Sequence, residues 1–221
     1  MSYPDEIERA CIRALVAAEY ERIKDQETRE QLRRHLVEPQ RHMLRWDYAT
    51  EPTTYPAWLV ADFISYSEHG FGPKCPWGLA SADGGGFGMD SGWFPTLHGV
   101  FLESWAWKPR EITLDPTDWR VPTDALSALF DALKISSAIN RSIETLVALI
   151  RGHAAGGIEL PLQIYVLDKP IVSRELVDFQ FHLAWGIIDG LCREGFSVRM
   201  IPRWQPSPDS GLVQAPSRPI D

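Results

Sequence analysis

Paired cysteines are missing from this chain of 221 residues, which carries Cys11, Cys75 and Cys192 far apart in sequence. An odd, scattered set builds no disulfide framework, and without a Cys-x-x-Cys pair neither structural zinc nor a redox couple is suggested. A long apolar run is missing too. No eighteen consecutive apolar residues occur, so no segment of the sequence reads as membrane-spanning. The opening Met1-Ser-Tyr-Pro-Asp-Glu-Ile-Glu is acidic where a signal peptide is basic and then apolar. These absences lead us to expect a reduced, soluble, cytoplasmic protein. Basic clusters are likewise scarce. Lys and Arg total 22 against 30 Asp and Glu, a net charge of −8, and no long segment is basic. Nucleic-acid binding depends on clustered cations that neutralise phosphate, so that partner class is excluded. An acidic surface instead steers a cationic partner over long range.

Catalytic signatures are also few. No Gly-x-Ser-x-Gly elbow surrounds Ser81 or Ser91. The glycine-rich stretch of residues 83–92 lacks the Gly-Lys-Ser/Thr ending of a phosphate loop, and Met89-Asp90 puts a carboxylate where the phosphate would sit. Two enzymatic alternatives remain open. Cys75, with His69 or His98 brought near by folding, could form a thiolate nucleophile; an incidental loop thiol explains the same residue. Glu175, Asp178 and His182 share a helix face at spacings of three and four and could touch one metal ion. A capping Glu175, a solvated Asp178 and a hydrogen-bonded His182 account for the same pattern, so we expect no metal and no cofactor.

What is present is aromatic. Of nine Trp, five (Trp58, Trp77, Trp93, Trp105 and Trp107) fall between residues 58 and 107. Most such rings are expected in the core, with some free to line an interface. The apolar spacing predicts a helical N-terminal arm over residues 1–50. Its helix covers 4–37, with Ile7, Cys11, Ala14, Leu15 and Ala18 on one stripe, a break near residue 25 being equally consistent, and Pro39 at its end. A single α+β domain is expected over 51–204. Strands are read at 58–66 and from Trp77, and Thr96 caps a helix that buries Leu97, Val100, Phe101 and Trp105. Further helices start at Pro122 and near Asn140. A strand from Pro161, a helix capped by Ser173 and a strand from Phe196 are spaced for a parallel crossover. Residues 205–221 read as a disordered, Pro-rich tail. The fold class is therefore α+β, a small mixed sheet packed with several helices.

The segments Gly70-Phe-Gly-Pro-Lys-Cys-Pro-Trp-Gly-Leu and Gly88-Met-Asp-Ser-Gly-Trp-Phe-Pro-Thr-Leu resemble those of immunity proteins from bacterial polymorphic-toxin and contact-dependent inhibition systems. The likeness covers residues 55–107. It implies a cytoplasmic, acidic, non-enzymatic binder of a cognate protein toxin with a cationic surface, and it brings no catalytic residues. On that reading Glu68, Asp83 and Asp90 steer and pair with cationic groups, while Phe71, Phe87 and Trp93 are the desolvated anchors. Replacing Asp83 and Asp90 together by Asn is expected to slow association with such a partner and flatten its salt dependence. Unchanged association kinetics would remove this loop from the interface.

Overall fold

A computed structural model describes residues 3–46, 51, 53–68, 74–79, 86–87, 92–152, 157–167, 169 and 173–202. The fold is α+β and divides into two compact units. One holds the residues up to 109 together with 192–197; the other holds 110–191 and the residues from 198 onward.

In the first unit, α1 (Tyr3–Arg22) carries Asp5 and Glu6 in its first turn and Arg22 in its last, complementing the helix dipole at both ends. The chain breaks at 23–25. Asp25 then caps α2 (Gln26–Arg33), its carboxylate accepting the Thr28 N–H at 2.8 Å. The buried face of α1 is rotated from the expected stripe. Ile7 and Cys11 are exposed, whereas Ile12 is buried with Leu15 and Val16 beside it. Glu19 sets this rotation, because its buried carboxylate accepts the Leu97 N–H at 3.1 Å and pairs with Arg22 at 2.8 Å.

The second half of the expected helical arm is a strand, β1 (Leu36–Trp46). The sequence hides it, because Glu38, Gln40, Arg41 and Arg45 mask any apolar alternation and Pro39 reads as a stop. The single strand expected at 58–66 is a hairpin of β2 (Thr54–Ala61) and β3 (Ile64–Tyr66). Asp62 turns it, and its backbone N–H donates to the His35 carbonyl at 3.1 Å. With β4 (Trp77–Leu79), β5 (Gly86–Phe87) and β6 (Trp93–Phe94) these form a sheet ordered β5-β1-β2-β3-β4-β6. All pairings are antiparallel except that of β1 with β5. The core gathers Trp58, Val60, Ile64 and Trp77 of the sheet with Ile12, Leu32 and the buried side of α3 (Leu97–Leu102). Thr96 caps α3 as the sequence indicates, accepting the Gly99 N–H at 2.9 Å.

The second unit is built on a parallel sheet of β7 (Arg110–Leu114), β8 (Leu162–Val166) and β9 (Val198–Ile201). Pro122 opens α4 (Pro122–Ala132), and the Asp124 carboxylate turns back to accept the Arg120 and Val121 N–H groups. Ser142 caps α5 (Ile143–Ile150), burying Leu146, Leu149 and Ile150. Ser173 caps α6 (Arg174–Phe181), which continues through a π-helical stretch, His182–Ile188, into α7 (Asp189–Arg193). Ile112, Leu114, Ile164, Val166 and Met200 are buried on one sheet face. No described helix is long and apolar enough to cross a membrane. The expected tail at 205–221 lies outside the described residues.

Residues 192–197 return to the first unit through a close backbone approach. Gly195 has φ of 100°, its carbonyl accepts the Lys24 N–H at 2.8 Å, and a Cβ there would stand 2.1 Å from the Arg22 carbonyl oxygen. Gly195→Ala combines a backbone clash with a left-handed φ that a side chain resists. We expect it to lower unfolding stability by about 3 kcal/mol or more; an unchanged urea midpoint would show that this junction gives way at no cost.

Candidate functional site

Of the six residues assigned to one recognition surface by sequence, the structure describes Glu68, Phe87 and Trp93. Phe71, Asp83 and Asp90 lie outside the described residues; Glu68 is exposed just after β3. β5 and β6 are the first and last strands of the sheet order and do not pair with each other. Trp93 is half-buried against Leu44 and Ala57. Its ring also lies over Gly78, where a Cβ would meet the indole at 2.9 Å. Gly78 is thus the residue that lets this ring pack onto the sheet.

The enzymatic alternatives fare differently. His98 is 3% exposed on α3, and both its ring nitrogens are engaged within the first unit. The Cys192 carbonyl, 3.2 Å from Nδ1, can only accept, so Nδ1 carries the proton. Nε2 then accepts from the Ser197 hydroxyl at 2.9 Å. Neither nitrogen is offered to Cys75, which is half-buried in the segment before β4. Glu175 and His182 are exposed, and Asp178 faces Arg174 at 3.7 Å. Among the described residues no three His, Cys, Asp or Glu side chains come together as a metal site.

A second His–Ser pair, unforeseen from sequence, joins His42 of β1 to Ser65 of β3 at 2.9 Å. Ser65 and Ser197 are both 0% exposed, so neither hydroxyl can meet a substrate. Each pair satisfies polar atoms inside the fold, which buried polar atoms require.

The surface that sequence reasoning missed centres on Trp105. The helix expected to run through Trp105 ends at Leu102, and Trp105 is 67% exposed. The Ser104 hydroxyl donates to the Phe101 carbonyl at 2.7 Å and its N–H to the same oxygen at 3.0 Å, ending the helix in a turn. The indole lies 5.4 Å from the rings of both His35 and Phe63, tilted 79° and 54° to them. His35 and Phe63 meet at 5.3 Å and 62°. The Asp62 carboxylate, with 57% of its side chain exposed, stands 3.2 Å from His35 Nδ1. One exposed indole backed by two rings, with a carboxylate alongside, is the chemistry of an interface anchor. No local signal marks it, because Asp62 and Phe63, which turn the hairpin beside Trp105, sit inside a run of strand-forming residues.

Trp58, Trp77, Trp107 and Trp119 are buried, and Trp185 of the π-helical stretch is 64% exposed. No protein-family model matches the chain, nor does any curated protein or solved structure.

Burial pushes the His98 imidazole down to about 4, outweighing the opposing pull of the Asp25 carboxylate and of the Cys192 carbonyl. The unfolded chain, with an ordinary imidazole near 6.5, binds more protons between these values. Stability is therefore full above pH 6.5 and falls as pH drops toward 4, by about 3 kcal/mol from this group. Half-burial lowers His42 in the same direction. Urea unfolding at pH 7 and 4.5, with an NMR titration of the His98 ring, checks this. A His98 resonance that titrates near 6.5 in the folded protein would remove the effect.

Proposed function

We propose that the chain is a cytoplasmic, non-enzymatic protein that neutralises a cognate bacterial toxin by tight protein–protein association. The observation that carries this reading is the Trp105 surface: an indole 67% exposed, backed by His35 and Phe63 and flanked by Asp62. Trp is enriched among the residues that dominate binding energy, and a carboxylate beside a ring cluster adds a polar handle to this one. The net charge of −8 adds steering toward a cationic partner. The likeness of residues 55–107 to immunity proteins points the same way. In this reading the partner's active cleft is occluded by surface contact, and no covalent chemistry is performed by this chain.

The test is an affinity capture of the tagged chain from its native host, with the partner identified by mass and then expressed alone. The expected partner is stoichiometric, basic, and arrests growth unless this chain is co-expressed. Trp105→Ala is expected to weaken the complex by about thirtyfold, the size of a binding hot spot. Trp185→Ala, in the second unit, should leave affinity unchanged. A clean preparation with no partner, or a captured partner that is harmless to cells, would overturn the proposal.

A further inference from the structure

The second unit holds a cavity at the N-terminal end of its parallel sheet. The turn that ends α4, the segment before β8 and the first residue of β7 line about 450 Å³ of space. Backbone hydrogen bonds fix these walls. After α4, Lys134 and Ile135 return their N–H groups to the Asp131 and Phe130 carbonyls at 2.9 and 3.0 Å, the paired bonds of a helix stop. The Ile158 N–H donates to the Leu149 carbonyl at 3.2 Å, and the Arg110 N–H to the Pro161 carbonyl at 2.9 Å.

Its lining is of two kinds. Leu133, Ile135, Ile139 and Ile158 supply aliphatic walls, Leu133 buried and the three isoleucines half-buried. Arg110 and Lys134, from different elements, supply two exposed cations, and neither has an anionic partner among the described residues. Glu159 lines the cavity too and is likewise unpaired among them. The backbone also marks Lys134. Its φ of 58° is left-handed, at the position after a helix where glycine is usual, and no other described non-glycine residue has a positive φ. The chain thus holds a long cationic side chain at the cavity in a conformation that side chains resist.

We propose that this cavity binds a small aliphatic monocarboxylate, its hydrocarbon body against the isoleucines and its carboxylate held by Arg110 and Lys134. Cavities of this size take small ligands whose bodies meet apolar walls and whose orientation a few polar groups fix. Two cations without counter-ions favour an anionic head, and a guanidinium matches a planar carboxylate. Glu159 in the same lining repels a second negative charge, which disfavours phosphate esters and dicarboxylates. An inorganic anion would leave the aliphatic walls uncovered. The same chemistry occurs in an aliphatic amino acid and in the corresponding acid without its amine, and Glu159 can attract the ammonium of the first alone. The site lies within the second unit and does not rest on the toxin-neutralising reading.

The full chain, labelled at its isoleucine methyl groups, is titrated by NMR with isocaproate, leucine, isocaproamide and inorganic phosphate. Expected are saturable shifts of the Ile135, Ile139 and Ile158 methyls with isocaproate or leucine, and binding weaker by about tenfold or more with the neutral amide and with phosphate. Tighter binding of leucine assigns a free amino acid as the ligand; tighter binding of isocaproate assigns an acid without the amine. Arg110→Gln should weaken the preferred carboxylate by about tenfold. Lys134→Gly relieves the left-handed φ, so it should weaken the carboxylate to a similar degree while the thermal midpoint stays level or rises, a combination that misfolding would not produce. The proposal is overturned if neither carboxylate shifts these methyls, if the amide or phosphate binds as tightly as the acid, or if both variants bind as the parent does.

Discussion

A neutral, buried imidazole holds the first unit together. His98 reaches from α3 to both ends of the returning segment, donating to the Cys192 carbonyl and accepting from the Ser197 hydroxyl. Between those two contacts Gly195 presses its backbone against Arg22 and takes the Lys24 N–H. From the same α1, Glu19 caps the N-terminus of α3 through the Leu97 N–H. The break after α1, the start of α3 and the returning segment are thus fastened by polar groups centred on the buried Glu19, His98 and Ser197. Each must be satisfied inside the protein, because a buried donor or acceptor left alone costs about 1–3 kcal/mol. That requirement fixes the His98 tautomer, demands glycine at 195 and keeps the ring uncharged.

The strand order imposes a second constraint. A chain that leaves β4 for β5 and returns for β6 passes from one edge of the sheet to the other and back. Residues close in sequence, such as Phe87 and Trp93, therefore serve opposite edges. The exposed ring cluster of this unit is likewise drawn from segments remote in sequence: the turn after α2, the β2–β3 turn and the turn after α3. The two-residue outer strands offer little edge for non-specific pairing.

Much of the architecture was legible where local chemistry and tertiary packing agree. Thr96, Ser142 and Ser173 cap the helices that their sequences announce, Pro122 opens its helix, and the apolar runs at 162–166 and 198–201 are parallel strands. Legibility failed where a polar group far along the chain decides. The face of α1 turns on Glu19, whose partner Leu97 is remote in sequence. β1 is a strand because β2 lies beside it, while its own residues carry alternating charge and a proline. The Asp62–Phe63 turn sits inside a run of strand-forming residues, so no glycine or proline marks it. The site failed for a similar reason. Trp105 continues the apolar spacing of α3, and only the helix end at Leu102 and the turn around Ser104 take it off that stripe.

The end of α3 bears directly on what this surface is for. One further turn of helix would have carried Trp105 on in the stripe of Leu97 and Phe101, both of them fully buried. Burying an indole of that size is worth about 3 kcal/mol, a large share of the stability of an ordinary domain. The chain instead spends a serine hydroxyl on the Phe101 carbonyl, stops the helix, and stands the ring on end against His35 and Phe63. Those contacts restrict the rotation of the indole while leaving most of it in water. A ring that is rigid before a partner arrives loses little entropy on binding, and its burial is then gained by the complex instead of the fold. The His98–Ser197 pair has the opposite character, with both ring nitrogens engaged and both residues buried. The polar pairs of this unit are thus turned inward, while one of its largest apolar side chains is held out.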